Sequence, residues 1–286
     1  MTTTYAQRQR SRIIHAVLFH LFVILLAFVM LYPILWMVAN SFKDNAKIFG
    51  TFSLWPKTFH FDNYARGWVF NHSTTFTTFF KNSFFYTILS TIGAVISSSI
   101  VAYGFARINF RGRSFWYACM FLTLMLPYQV VMIPQFIIFK QLNWINTFLP
   151  LIVPQFTGQA FFIFLMVQFI RGIPVELDQS AMIDGCNKWT IFTKIIFPLI
   201  KPAVITSTIF SFYWRWDDFL GPLLYLNKPK SFTVSLALRM FSDPQTTTDW
   251  GAIFAMGTLS LIPVIAIFLI FQKYIVQGLV TSGLKG

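Results

Sequence analysis

Pro174–Pro202 reads PVELDQSAMIDGCNKWTIFTKIIFPLIKP, and the rest of the chain is organised around this polar stretch. Apolar segments flank it on both sides, and it holds three of the chain's nine acidic residues. These are Glu176, Asp178 and Asp184. The stretch is therefore either a polar hairpin resting on a membrane surface or a docking element through which another protein moves the flanking helices.

Local signals predict two helical pieces within this stretch. Pro174 suits a first helical turn, acidic residues favour the positive end that follows, and Gly185 is a good helix stop. We therefore predict a short helix over Val175–Asp184 that lies outside the bilayer. Apolar residues at helical spacing predict a second piece, which ends at Pro198.

The composition is that of a membrane protein. The chain is 56% hydrophobic and 11% charged, whereas soluble domains carry about a quarter charged residues. Several apolar runs exceed the roughly 18 residues that a spanning helix needs. The formal net charge of +13 is assigned to Lys and Arg at cytoplasmic helix ends. We therefore expect an all-α protein in contact with the lipid bilayer and no nucleic-acid partner.

Hydropathy predicts six transmembrane helices. Their approximate limits are Ile13–Ala39, Ser83–Ala106, Phe115–Phe139, Phe148–Ile170, Ala203–Leu226 and Trp250–Phe271. The short basic loop Arg107–Arg113 favours the cytoplasmic side under the positive-inside rule. The N- and C-termini are then both cytoplasmic, as is Pro174–Pro202.

Polar side chains within the predicted third, fourth and fifth spans form a candidate solute pathway. They are Gln129, Gln155, Gln159, Tyr213, Trp216, Asp217 and Asp218. A rise of about 1.5 Å per residue places them in the outer half of the membrane. Amides and carboxylates hydrogen-bond hydroxyl groups, and aromatic faces pack on sugar rings. The alternatives are polar contacts between helices for the glutamines and an interfacial aromatic belt with an Arg215–Asp218 ion pair for the rest.

The sequence contains no recognisable motif for a catalytic or metal site. It has no Gly-x-x-x-x-Gly-Lys-Ser/Thr loop to hold phosphate, so we expect this chain to bind no ATP and no other cofactor. It has no recognisable nucleophile–base pair and no Cys/His cluster with metal-ligand spacing. A membrane enzyme is thus the least favoured class, and energy for active transport has to come from another chain.

The polar stretch resembles the EAA loop of ABC importer permeases. That pattern is Pro-x-Glu-Leu-x-Glu-Ala-Ala-x-Ile-Asp-Gly-Ala, followed by Phe-x-x-Ile-x-Leu-Pro-Leu-x-x-Pro. Here the two parts are Pro174–Cys186 and Phe192–Pro202. The namesake Glu-Ala-Ala reads Gln179-Ser180-Ala181, so a neutral amide replaces the glutamate that would pair with the ATPase. Charge for docking would then come from the neighbouring Glu176 or Asp178.

The resemblance covers almost the whole chain. Trp216–Leu223 is similar to a Trp-Asn-Glu-Phe-x-x-Pro-Leu signature of carbohydrate permeases, and Phe271–Gly286 looks like the tail of the second permease subunit of maltose-type importers. This likeness implies a MetI-like core formed by the last five helices. It divides the chain into residues 1–82, with the first span and an outer loop, and the core 83–286, with the coupling loop 171–202 and the tail 272–286.

The family likeness also implies partners and roles. Residues expected to couple to the ATPase are Glu176, Gln179, Ser180, Ala181, Asp184 and Gly185. The expected assembly contains a second homologous permease, two cytoplasmic ATPase subunits that bind ATP and Mg²⁺, and an extracytoplasmic solute-binding protein. The outer loops Ser41–Lys81 and Asn227–Asp249 are candidates for contact with that binding protein.

The implied function is import of a sugar or oligosaccharide across a bacterial cytoplasmic (inner) membrane. Another polar solute, such as a polyol or a glycerol phosphodiester, is the alternative within this class. A self-contained secondary carrier is an alternative of a different class, although we find no internal repeat and no ion site that would support it.

Overall fold

The computed structural model describes residues 2–50, 53–71, 74–241 and 248–283, and most of them are helical. The helices are α1 Thr2–Asn40, α2 Asp62–Trp68, α3 Phe76–Arg107, α4 Arg113–Met125, α5 Tyr128–Gln141, α6 Leu149–Ile152, α7 Ala160–Arg171, α8 Glu176–Ile183, α9 Lys188–Ile191, α10 Phe197–Leu199, α11 Lys201–Trp216, α12 Leu220–Tyr225, α13 Val234–Phe241 and α14 Trp250–Gly283. A short antiparallel ladder pairs β1 Val69–Asn71 with β2 Thr74–Thr75. The prediction of an all-α fold is confirmed. Of the predicted contact loops and tail, residues 51–52, 72–73, 242–247 and 284–286 lie outside the described part.

The helices account for the predicted membrane spans. Within the described residues, four helices are long and apolar enough to cross a membrane, namely Arg12–Asn40, Phe76–Arg107, Leu149–Arg171 and Trp250–Lys273. Two further helix pairs reach that length and hydropathy only together, because each is sharply bent. The bends are 99° between α4 and α5 and 76° between Lys188–Leu199 and α11. Counting each bent pair as one span gives up to six, the predicted number.

The bend between α4 and α5 follows from a proline. A residue before proline avoids the helical region, and Leu126 is accordingly extended, with φ −79° and ψ 118°. Pro127 has ψ 136° and precedes the first turn of α5. Pro134 lies inside α5 without ending it. Only the first of these prolines therefore breaks the span.

The predicted fourth and fifth spans are also interrupted. Gly158 separates the 3₁₀ turn after α6 from α7 with φ +88°, a conformation that favours glycine. A Cβ there would lie 3.1 Å from Cδ1 of Ile163. In the fifth span, α11 ends at Trp216 and the chain becomes helical again only at Leu220. These interruptions and the bend at Pro127 leave backbone that is not helical at membrane depth, which is tolerated where it lines a cavity or is buried in protein.

The polar stretch folds as predicted at its first helix and differs at its second. α8 falls within the predicted Val175–Asp184. The second piece ends at Leu199, one residue after the predicted end at Pro198. The five residues Phe192–Ile196 form a π turn, in which the Phe197 N–H donates to the Phe192 carbonyl. Just after Pro198 the chain bends by 76° into α11, as expected where a proline interrupts a helix.

The chain forms two compact units. The first comprises Met1–Trp68 and Phe241–Leu259. Within it, the Asn63 amide donates to the carbonyls of Ser41 and Lys43 at 2.8 Å each, and the Arg66 Nε lies 2.8 Å from Asp249. These contacts fix part of the outer loop to the start of α14. The predicted division into residues 1–82 and 83–286 separates parts of the chain by their expected role, not by compactness. It stays a prediction.

The second unit comprises Val69–Met240 and Ser260–Gly286, and α3 is its central helix. The buried face of α3 is rich in small residues, including Ser90, Ala94, Ser98 and Ala102. Small side chains let neighbouring helices approach closely. At Gly93 the approach is so close that a Cβ would lie 2.6 Å from the Phe156 ring. Helices α7 and α11 and the 3₁₀ turn after α6 are packed against α3.

Candidate functional site

A cavity of about 880 Å³ opens where α3 faces the interrupted spans. Its lining is Tyr86, Thr123, Leu124, Tyr128, Gln135, Pro150, Leu151, Pro154, Gln155, Thr157, Gly158, Gln159, Ala160, Phe161, Trp214, Arg215, Asp218, Gly221 and Tyr225. The Ser98 hydroxyl accepts a hydrogen bond from the Gln159 backbone N–H at 2.9 Å and so marks the position of this lining residue along α3. Measured along α3 from Arg107, Ser98 is about 14 Å away and Tyr86 is about 32 Å away. The cavity thus extends from the middle of the membrane toward the end opposite α8.

Gln155 is the centre of one polar network on the cavity wall. Its Oε1 accepts from the Arg215 Nη2 at 2.8 Å and also from the Gln159 amide. Its own Nε2 donates to the Leu151 carbonyl at 3.3 Å, one helical turn back. The two glutamines lie on either side of the interruption at Gly158, and both line the cavity. A charged donor and two amides therefore face the same space.

Asp218 is the centre of a second network. Its Oδ2 accepts from the Tyr86 hydroxyl at 2.7 Å, and its Oδ1 accepts from the Gly221 backbone N–H at 3.1 Å at the start of α12. A Cβ on Gly221 would approach Oδ2 to 2.6 Å. The Asp218 carboxylate is therefore hydrogen-bonded to both α3 and α12.

The Arg215–Asp218 ion pair that we considered from their spacing does not form. Arg215 bonds Gln155, and Asp218 bonds Tyr86. The spacing argument assumes a continuous helix, but α11 ends at Trp216, between the two residues.

The predicted pathway residues separate into two groups. Gln155, Gln159 and Asp218 line the cavity. The remaining members of the predicted set do not line it: Gln129, Tyr213, Trp216 and Asp217.

Local geometry explains why these four lie elsewhere. The depth assigned to Gln129 assumed a straight span, and the bend at Pro127 redirects it to an exposed position. Trp216 is buried and donates from Nε1 to the Ser260 carbonyl at 3.0 Å, which is a packing role. Tyr213 and Asp217 are exposed. Their neighbours Trp214 and Arg215 face the cavity instead, because successive helix residues point about 100° apart.

Several lining residues were not among those predicted from the sequence. Tyr86, Tyr128 and Tyr225 place hydroxyl groups on the wall, Gln135 an amide, and Trp214 an aromatic face. Their polarity was visible in the sequence, but three come from helices that a bend or interruption reorients. Tyr86 is the one that a search for polar residues within a continuous apolar span would have found.

α8 turns one face inward and leaves the other exposed. Asp178 and Ala181, three residues apart, are buried, and Ala181 belongs to a core that includes Ile170, Ile191 and Phe192. Ala181 is therefore packed inward in this chain, although it is one of the residues predicted to couple to the ATPase. The other predicted coupling residues are exposed: Glu176, Gln179, Ser180, Asp184 and Gly185.

Gly185 ends α8 as predicted. Its φ is +80°, its N–H donates to the Met182 carbonyl at 3.1 Å, and the Cys186 N–H donates to the Ala181 carbonyl at 2.9 Å. This pair of bonds is a Schellman motif, in which glycine is the preferred residue.

An ion pair anchors α8 to the end of α3. The Arg107 Nε lies 3.0 Å from Asp178 Oδ2, and each side chain is only 8% exposed. Arg107 also donates from Nη2 to the Ile173 carbonyl at 2.7 Å, just before α8. Burial raises the pKa of Asp178, and the Arg107 charge opposes that rise. Asp178, which we had considered as a source of docking charge, is thus used within the chain.

The exposed face of α8 combines apolar and acidic side chains. Val175, Leu177 and Met182 are about half exposed, and Ile183 is 87% exposed. Glu176 and Asp184 carry charge at its two ends. A helix outside the membrane that exposes this many apolar side chains is typical of a surface that a partner covers.

Comparison with known proteins gives a consistent result. Residues 94–281 match the family model described as "Binding-protein-dependent transport system inner membrane component". The chain is 32% identical over 256 residues to the probable ABC transporter permease protein YurM of Bacillus subtilis, covering 89% of this chain and 84% of the relative. It is 30% identical over 289 residues to the trehalose/maltose transport system permease protein MalG of Thermococcus litoralis, covering 97% and 99%.

The fold is also that of a solved protein. A chain in the crystal structure of a bacterial ABC transporter involved in the import of the acidic polysaccharide alginate superposes with a TM-score of 0.81 and 24% identity. The match covers 93% of this chain and 98% of that chain. The sharp bends and interruptions described above thus occur within an architecture that is already known.

Proposed function

This chain belongs to the family of binding-protein-dependent transport system inner membrane components, and on that premise we propose that it forms half of the membrane pathway of an ATP-driven sugar or oligosaccharide importer. The predicted permease family and membrane location are confirmed. The family description names dependence on a binding protein, and a permease of an ABC importer in general implies a partner permease and an ATPase as well. The relative that transports trehalose and maltose matches along almost its whole length, which supports a sugar as the solute.

The chemistry of the 880 Å³ cavity is the observation that carries this proposal. Its volume lies within the roughly 300–1,000 Å³ of typical small-molecule sites. Amides of Gln155 and Gln159 offer both donors and acceptors, and Trp214 and Phe161 offer aromatic faces. Such a wall suits a solute with many hydroxyl groups. The lining charges of Arg215 and Asp218 cancel formally, so they do not favour an acidic solute over a neutral one.

Coupling to the ATPase is proposed at the exposed face of α8. Its apolar side chains would enter a cleft on the ATPase, and Glu176 and Asp184 would supply charge at the edges. Gln179 and Ser180 would contribute hydrogen bonds where the family pattern has Glu-Ala. Asp178 and Ala181 would instead transmit the motion, because they attach α8 to α3 and to the core.

The sidedness follows from this role. ATP is cytoplasmic, so α8, the ends of α3 and α7 and both termini are placed on the cytoplasmic side. The basic loop Arg107–Arg113 agrees with that orientation. The complete assembly would contain one partner permease, two ATPase subunits that bind ATP and Mg²⁺, and one extracytoplasmic binding protein. Closure of the ATPase pair would draw the docking helices together and open the pathway outward.

Reconstituted transport tests the proposal. The chain, its partner permease and the ATPase are placed in proteoliposomes, and uptake of a panel of oligosaccharides, polyols and glycerol phosphodiesters is measured with the binding protein. Uptake of a sugar that requires both ATP and the binding protein is expected. Uptake by this chain alone, driven by an ion gradient, would contradict the importer.

The cavity is tested by a pair of glutamine variants. Gln155→Leu removes the amide that joins Arg215 to Gln159 and is expected to lower sugar uptake at least tenfold, since the partly buried Arg215 guanidinium then loses its hydrogen-bond acceptor. Gln129→Leu is the matched control, because this amide is exposed and away from the cavity. Equal effects of the two variants would remove the cavity from the pathway.

A further inference from the structure

A second cavity, of about 510 Å³, lies at the opposite end of the membrane from the first. It is lined by Phe105, Arg113, Ser114, Tyr117, Ala118, Phe121, Leu122 and Arg171. Its position follows from the topology. α3 ends at Arg107, α4 begins at Arg113 and α7 ends at Arg171, so the cavity lies at the membrane boundary nearest α8.

The cavity brings together two guanidinium groups that have no carboxylate partner. Within residues 2–50, 53–71, 74–241 and 248–283, the ion pairs involve other side chains. The Arg171 guanidinium lies 5.2 Å from the centre of the Tyr117 ring, which holds it beside the cavity. Guanidinium groups form strong, charge-assisted hydrogen bonds with phosphate and carboxylate oxygens, so two of them on one wall favour an anionic ligand.

Further donors point to the same ligand. The Tyr117 hydroxyl is buried and has no hydrogen-bond partner in the described part of the chain. The Ser114 hydroxyl lies on the same wall, in the first turn of α4. The positive end of that helix adds to the field of the arginines. A buried polar group without a partner costs free energy, and a bound oxyanion would satisfy it.

The rest of the wall is apolar and runs along the membrane normal. Phe121 and Leu122 lie about 12 Å along α4 from the arginine end. Phe105 and Ala118 complete this part of the lining. A soluble anion has no apolar group to contact that surface, whereas the first carbons of an acyl chain would pack against it.

From this juxtaposition we propose that the cavity binds one anionic phospholipid. The phosphodiester oxygens accept from Arg113 and Arg171 and from the hydroxyls of Ser114 and Tyr117. An acyl chain descends past Phe121 and Leu122. Basic pockets between transmembrane helices on the cytoplasmic side have the charge and position that such headgroups require.

Lipid retention by the purified importer tests this site. The intact complex is stripped by detergent exchange, supplied with equal amounts of phosphatidylglycerol and phosphatidylethanolamine of matched chains, and examined by native mass spectrometry. Arg113→Gln/Arg171→Gln is expected to reduce phosphatidylglycerol binding about tenfold or more, because both charge-assisted contacts are lost. Arg12→Gln/Arg111→Gln, which removes the same charge from exposed residues outside the cavity, is expected to retain it.

Two further arms keep the proposal falsifiable. Ala118→Trp fills the apolar part of the cavity while both arginines remain, and it too is expected to reduce phosphatidylglycerol binding. Excess inorganic phosphate is expected not to displace the lipid. The proposal is overturned if phosphatidylethanolamine binds equally well, if phosphate displaces the lipid, or if the cavity and control variants retain the same amount.

Discussion

Replacing Arg107 with methionine should uncouple α8 from α3 by leaving Asp178 buried without its counter-ion. The two side chains are each 8% exposed and 3.0 Å apart. Removing one partner of a buried pair typically costs about 3–5 kcal/mol, because the remaining charge has lost its compensation. At the size of this chain, that corresponds to a fall of roughly 10 °C in the midpoint of thermal unfolding.

The loss in Arg107→Met should depend on pH. Burial already raises the pKa of Asp178 above its ordinary value of 3.8, and removal of the opposing arginine charge should raise it further. A raised carboxyl pKa means that the native state binds the proton more tightly than the unfolded state. Stability therefore falls as pH rises from the ordinary value through the raised one. The loss of stability in Arg107→Met, relative to the unsubstituted protein, should be smallest at acidic pH and fully present above the raised pKa of Asp178.

The assay is the loss of monodisperse protein on size-exclusion chromatography after heating, measured across pH. Arg111→Met is the matched control, because that arginine is exposed, and it should change stability by less than about 0.5 kcal/mol. The double variant Arg107→Met/Asp178→Leu should recover most of the loss, since an apolar pair can replace a buried ion pair. A deficit that is the same at every pH and is not recovered in the double variant would refute the ion-pair argument.

Three further substitutions test other parts of the structure. Gly158→Ala should destabilise the fold by about 1–2 kcal/mol through its positive φ, with crowding against Ile163 adding to the loss; an unchanged thermal midpoint would count against this break. Tyr86→Phe should lower the maximal rate of uptake without reducing the amount of assembled complex, because Asp218 loses a donor; loss of assembly alone would indicate a structural role. Gly185→Val should lower the amount of solute transported per ATP while membrane insertion is preserved. Open space surrounds this glycine, so the valine would strain only the backbone conformation at the end of α8. An unchanged ratio of transport to ATP hydrolysis would contradict the role of α8.

Features set by local chemistry were predictable from the sequence. The apolar runs gave the spans, and the acidic start and glycine stop gave α8 because capping depends on residues within one turn. Gln155 and Gln159 are four residues apart, a spacing that favours contact between side chains on one helix face. Their side chains do hydrogen-bond, across the 3₁₀ turn that replaces a regular helix there.

Features that depend on helix direction were not predictable. A count of residues along a straight span cannot anticipate a 99° bend, so it does not show that Gln135 lines the cavity and Gln129 lies away from it. Asp178 shows a second reason. Its partner Arg107 is 71 positions away in the sequence (178 − 107), and no local pattern distinguishes an acid that faces a partner protein from one that is neutralised inside.

Cross-linking from α8 to the ATPase tests the central claim most directly. In a complex with Cys119→Ser and Cys186→Ser, a cysteine is introduced at Ile183, which is 87% exposed, or at Ala181, which is 7% exposed. Ile183→Cys should cross-link to the ATPase subunit, with a yield that changes when ATP is added, whereas Ala181→Cys should not. Absence of a cross-link from Ile183→Cys in a complex that still transports solute would contradict the account.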